Sequence, residues 1–323
     1  MYTKKKNKYI NKKTKKHHKH HKHHKHHKHH EHKKTKKHHE NDETKYKKIQ
    51  CSPDNNENKY TCYNNDNLEK MKQLWNARHP SNLITSNDTR EIWNQLKQNI
   101  GSSCNKESCW LKQKFMEGNV SQDLLNYTFS PKSPESWKNN KNEWLSSTDI
   151  ERVMKQYEKS YNCFDFIGPS PIDYDAHKLY GECVWEELCK FNLTNQIKKG
   201  KTKIGIVFNT DPHTKEGEHW ICLFINIKKK YIIYFDSVGN YTPKQINKFI
   251  KNVKNQGNNM NMKFKVFKNK LKHQRKDSEC GMYCLHVIIE LLKDKTTPSE
   301  LLNKRITDEE MESYRKKYFN SEI

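Results

Sequence analysis

Cys280 and Cys284 stand four residues apart at the head of the run "ECGMYCLHVIIELL". A thiol becomes a useful nucleophile only when its thiolate is populated, by a neighbouring imidazole or by a helix N-terminus. Met282, Leu285, Ile288, Ile289 and Leu292 recur on one helical face, so the spacing predicts a helix opening at Cys280, with Asp277 or Ser278 as its N-cap. The free amides at that end favour a negative sulfur on Cys280. Cys284 lies a turn further in, where its position predicts a core thiol.

The imidazole must come from elsewhere in the chain. "HWICLFINI" and "YIIYFDSV" are apolar and β-branched runs of strand length separated by "KKK", the pattern of an antiparallel hairpin. His219 opens the first strand and Asp236 closes the second, so pairing alone sets the carboxylate beside the ring, where it can orient it and stabilise the imidazolium. His213, His273 and His286 are the weaker candidates for the base. Gln274, six residues before Cys280, offers a side-chain amide that, with the Cys280 backbone N–H, can hold an oxyanion. Gly281 has no side chain to obstruct a substrate backbone. The chemistry these residues support is nucleophilic acyl transfer, which needs no cofactor and no metal.

The elements that position them occupy only part of the 323 residues. The first 50 carry 19 Lys against four acidic residues, +15 of the formal net charge of +24, and 13 of the 19 His fall between His17 and His39. So little apolar surface cannot offset the entropy of ordering the backbone, and residues 1–50 read as a disordered basic tail. Three readings of the tail stay open: a salt-sensitive nucleic-acid contact, a metal-binding imidazole tract, or a solubilising extension. No apolar stretch follows the basic start and no window approaches a membrane span, so a soluble protein made in the cytosol is expected. The ten cysteines are then expected to be reduced; there is no C-x-x-C, and Cys104 and Cys109 make only a weak metal half-site.

Residues 60–165 read as a helical accessory region, including "STDIERVMKQYEKSY", where Ile150, Val153, Met154 and Tyr157 form one face. Residues 166–323 read as the core: the Pro-rich loop "GPSPIDYD", the strands "KIGIVFNT", "HWICLFINI", "YIIYFDSV" and "FKVFKN", and the helix of Cys280. Strands and helices partly segregate, which predicts an α+β fold with a mostly antiparallel central sheet packed on the helix of the nucleophile.

His219-Trp220, Asp236-Ser237, and Gln274 followed after five residues by Cys280-Gly281 together resemble the signature of the ubiquitin-like-protein-specific and adenain-like cysteine proteases. In that clan the catalytic order is His, Asp, Gln, Cys on a papain-like fold. "FIGPSPIDYD", "GECVWEELC", "IGIVFNTDPH" and "HQRKDSECGMYCL" extend the resemblance to thiol proteases of giant nucleocytoplasmic DNA viruses. The resemblance implies a cysteine endopeptidase with His219, Asp236 and Cys280 as its catalytic residues and Gln274 at the oxyanion. It also implies cleavage of viral structural precursors after small, glycine-type residues, in the virion and the host cytoplasm. Trp220, with Trp185 as a further aromatic neighbour, is expected to roof a narrow substrate tunnel. The same site suits an isopeptidase for SUMO-like or ubiquitin-like conjugates, and a reading of another class is an inert nucleic-acid-binding virion component.

Overall fold

The computed structural model describes residues 50–53, 58–178 and 180–320. The basic tail, up to residue 49, lies outside the described residues, and so do the readings placed on it. The core is a five-stranded sheet in the order β1 (Phe164–Pro171), β2 (Lys203–Asn209), β3 (Trp220–Asn226), β4 (Tyr231–Phe235), β5 (Lys265–Lys268). The sheet is mixed: β2, β3 and β4 pair antiparallel at its centre, while β1 joins β2 and β5 joins β4 in parallel. All residues of β3 and β4 are buried, as continuous apolar runs covered on both faces must be.

β1 replaces part of the loop expected at "GPSP". The chain passes through a register shift between Ile167 and Ser170, where Gly168 has φ +108° and a Cβ would stand 2.7 Å from the Val207 carbonyl oxygen. Glycine and proline, which punctuate loops in a sequence, here make a bulge inside a strand.

Helices α1 (Asn65–Arg78), α2 (Thr89–Ile100), α3 (Glu107–Trp110) and α4 (Gln122–Tyr127) precede the sheet, followed by α5 (Ser147–Ser160). Leu68, Met71, Trp75, Ile92, Trp93 and Trp110 belong to a separate apolar cluster that runs from Cys51 to Phe129. α5 does not share it. Its Ile150, Val153, Met154 and Tyr157 face the sheet core, as their spacing predicts. The division drawn between residues 165 and 166 thus falls inside β1, and the helical cluster closes at Phe129.

The remaining helices are α6 (Glu186–Cys189), α7 (Leu193–Lys198), α8 (Lys244–Asn259), α9 (Cys280–Leu292), α10 (Pro298–Asn303) and α11 (Asp308–Tyr318). Alternate residues of the strands point to opposite faces. Phe166, Val207, Cys222, Phe224, Ile233 and Phe235 meet α5 and α9, while Ile206, Phe208, Leu223, Ile232 and Tyr234 meet α8 and the α6–α7 segment. Only Glu290 of α9 escapes burial, so the helix is held by the sheet, α5 and α11 at once. No helix among the described residues is long and apolar enough to cross a membrane.

The cysteines require a correction. Cys51–Cys62, Cys104–Cys109 and Cys183–Cys189 are joined as disulfides, with Cα separations of 5.1, 5.7 and 6.3 Å. The expectation of reduced thiols rested on the missing export signal; each pair nevertheless stands within bonding range. Cys163, Cys222, Cys280 and Cys284 remain thiols.

Candidate active site

Cys280 is the first residue of α9 and is buried. The N-cap position belongs to Glu279 rather than to Asp277 or Ser278, and no side chain caps the first turn. The cause is a competing partner: the Glu279 carboxylate is forked on Arg315 of α11, and the Ser278 hydroxyl donates to Glu279 at 3.2 Å. A helix end without a side-chain cap keeps its amides available to an anion beside the sulfur.

His219 and Asp236 lie just beyond the paired ends of β3 and β4, whose last matched residues are Cys222 and Phe235. His219 Nε2 hydrogen-bonds Asp236 Oδ1 at 2.8 Å, and the ring also hydrogen-bonds Cys280. Burial opposes a charge on His219, but its hydrogen bonds to Asp236 and Cys280, with the negative charge of both, outweigh it and raise the imidazole to about 9. The Asp236 carboxylate also accepts from Val238 N at 3.0 Å. Its backbone is clamped by Asn269, which accepts from Asp236 N at 2.7 Å and donates to Asp236 O at 2.8 Å. Asn269 was not singled out by the sequence; its signal is its place just past β5, in parallel register with the end of β4.

Gln274 is buried against the residue after Asp236. Its carbonyl oxygen accepts from Ser237 Oγ at 2.6 Å, its backbone N–H donates to Ser237 O at 2.8 Å, and Nε2 donates to Lys276 O at 2.6 Å. A side-chain amide has two donor hydrogens, so one is committed to Lys276 and one is left for another acceptor. The loop around it is tied down by His273, whose Nε2 donates to Leu301 O at 3.0 Å while Nδ1 accepts from Ile306 N at 3.0 Å. Asp308 accepts from Arg275 N at 2.9 Å.

The rival histidines have other work. Burial pushes His273 down to about 4, and does the same to His286, so both are neutral structural groups. His213 is bonded to Asp173 at 2.7 Å. Cys284 is fully enclosed and hydrogen-bonded to Cys222, and burial drives its thiol well above the ordinary range. Of the candidate residues, the structure therefore brings together His219, Asp236 and Cys280, with Gln274 hydrogen-bonded to Ser237, the neighbour of Asp236.

The aromatic and glycine readings change more. Trp220 is buried, and its indole N–H donates to Leu145 O at 2.9 Å. The Leu145 side chain in turn fills the space beside Gly281, where a Cβ would stand 3.0 Å from Leu145 Cβ. The space at Gly281 that was expected to stand open is thus occupied by the Leu145 side chain. Trp185 packs on the opposite face of the sheet, with Leu188 and Phe191, so it does not roof the site. Gly281→Ala is expected to cost about 1–3 kcal/mol by overpacking, and urea unfolding of the variant beside the wild type checks it.

A helix-terminal thiol, an imidazole bonded to it and a carboxylate behind the ring make up the constellation of a cysteine-type peptidase, on an α+β fold with a mixed sheet. Residues 150–323 match the model of the Ulp1 protease family, C-terminal catalytic domain, and the chain belongs to that family. It is 30% identical over 286 residues to the "Putative thiol protease" of Acanthamoeba polyphaga mimivirus, covering 81% of this chain and 90% of that one. It is 27% identical over 240 residues to the "SUMO-1 cysteine protease" of African swine fever virus, covering 70% and 85%. The crystal structure of the African swine fever virus protease has the same fold, with a TM-score of 0.62 at 22% identity over 84% of this chain and 95% of that one.

Proposed function

We propose that this cysteine peptidase is an endopeptidase that cuts viral structural precursors after glycine-type residues during particle maturation, in the virion and the host cytoplasm. The carrying observation is the His219 ring, bonded to Asp236 at 2.8 Å on one side and to Cys280 on the other. In this reading Cys280 attacks the scissile carbonyl carbon and His219 passes a proton to the leaving amine. Water then releases the acyl group from sulfur, with His219 as general base. The oxyanion is met by the Cys280 backbone N–H and the uncommitted hydrogen of the Gln274 amide. Asp236 holds the ring in its tautomer and offsets its charge.

The preference for a small residue is supported by packing. Trp220 and Leu145 are both buried beside His219 and Gly281, and Trp220 is pinned through its indole, so this wall has little freedom to yield to a branched side chain. A second reading, an isopeptidase acting on ubiquitin-like conjugates, draws support from the name of the African swine fever virus relative. Peptides with Gly-Gly, Gly-Ala and Val-Ala at the scissile bond are to be compared with a fluorogenic ubiquitin-like C-terminal reporter. Glycine peptides are expected to exceed the valine peptide by at least tenfold in kcat/KM, and cleavage confined to the folded reporter would replace the first reading with the second.

A further inference from the structure

Ser237 follows Asp236 in the chain and is buried, as Gln274 is. The Ser237 carbonyl accepts from Gln274 N and from His273 N, both at 2.8 Å, and the Ser237 hydroxyl lies 2.6 Å from Gln274 Oε1. The sense of that last bond follows from the other end of the amide. Gln274 Nε2 stands 2.6 Å from Lys276 O, a carbonyl that can only accept, so the nitrogen end faces Lys276 and the oxygen end faces Ser237. The Ser237 hydroxyl is therefore the donor. Two fixed points, one at each end, set the plane of the amide and with it the direction of the second Nε2 hydrogen. Lys276 alone would leave the amide free to pivot.

We propose that Ser237 is a positioning residue for the acyl-transfer step: its hydroxyl anchors the Gln274 amide so that the uncommitted N–H is held toward the oxyanion. The inference rests on the oxyanion role given to Gln274 above. Preorganised donors stabilise a developing charge because they need not reorient as it forms, and a pivoting amide loses that advantage. An amide turned end for end would present a carbonyl oxygen to the same charge and repel it. Without the Ser237 hydroxyl, Oε1 is a buried acceptor with no donor, and the cost of leaving it so draws the amide out of place. Ser237 is itself held by its neighbour, since Asp236 is clamped by Asn269 and bonded to His219. One dipeptide thus sets both the carboxylate behind the base and the amide that meets the oxyanion.

The test is a double-mutant cycle in the full chain: wild type, Ser237→Ala, Gln274→Ala and the pair, assayed with the Gly-Gly peptide. Ser237→Ala removes one oxygen and adds no atom. It is expected to lower kcat about tenfold with KM held within about twofold, a part of the roughly 10²–10³-fold at stake for a whole oxyanion donor. In the Gln274→Ala background the same substitution is expected to change kcat by less than about twofold, because the group it acts through is gone. Alkylation of Cys280 by iodoacetamide forms no oxyanion, so its rate in Ser237→Ala is expected to stay at the wild-type value. An alkylation rate that falls along with kcat would mean that Ser237 acts through Asp236 or the fold, and would overturn the proposal. So would an unchanged kcat in Ser237→Ala, or equal losses in the two backgrounds. Undiminished kcat in Gln274→Ala would instead remove the oxyanion reading of Gln274, and the role of Ser237 with it.

Discussion

Cys280→Ser is expected to reduce peptide hydrolysis by roughly 10⁴-fold or more, while Cys284→Ser leaves kcat/KM within about twofold of the wild type. The two thiols sit a turn apart on one helix and differ in surroundings rather than in kind. Cys280 has the imidazole of His219 in hydrogen-bond contact and the uncapped end of α9 at its own amide. A hydroxyl in its place has much the same size but is not ionised by an imidazole at neutral pH, so the fold is kept and the nucleophile is lost. Cys284 has Cys222 as its hydrogen-bond partner, and burial holds it in the neutral form. Iodoacetamide labelling read by mass spectrometry separates the two in the wild-type chain: carboxamidomethylation at Cys280 with Cys284 unmodified is the expected pattern. Full hydrolysis by Cys280→Ser would remove Cys280 from the mechanism.

The site was legible because its geometry is a consequence of strand pairing. His219 and Asp236 are 17 residues apart, and an antiparallel hairpin with "KKK" at its tip leaves them side by side whatever surrounds it. The helix of Cys280 announced itself through Met282, Leu285 and Ile288. What the sequence concealed lies where long-range partners override local preference. Glu279 holds the cap position because Arg315, 36 residues away, draws its carboxylate inward. The space beside Gly281 is filled by Leu145, which comes from outside the predicted core. β1 was hidden because its bulge needs the same Gly-Pro pair that marks a loop, and the disulfides because a missing export signal says nothing about which cysteines are neighbours.

Asp236→Asn tests the other half of the pair, and the sign of its effect follows from the raised imidazole. His219 titrates near 9 because its bonds to Asp236 and Cys280 outweigh the burial that opposes its charge. A ring that keeps its proton to about pH 9 favours the thiolate form of a neighbouring thiol up to that point, so the alkaline limb of kcat/KM is expected near 9 rather than near 6.5. Asparagine preserves shape and an acceptor oxygen but withdraws the charge that, with the hydrogen bond, holds the proton on the ring from behind. The limb should then move down toward the ordinary imidazole range, with kcat lower by on the order of 10²–10⁴-fold. Stability carries the same sign. A histidine raised in the folded state contributes stability that is fully present below its unfolded value of about 6.5 and disappears as pH rises through about 9. Urea unfolding of wild type and Asp236→Asn should therefore show a gap that is largest below pH 6.5 and closes above pH 9. An unchanged alkaline limb in the variant would mean that the Asp236 charge does not govern the proton on His219. The 2.8 Å contact would then serve only to orient the ring.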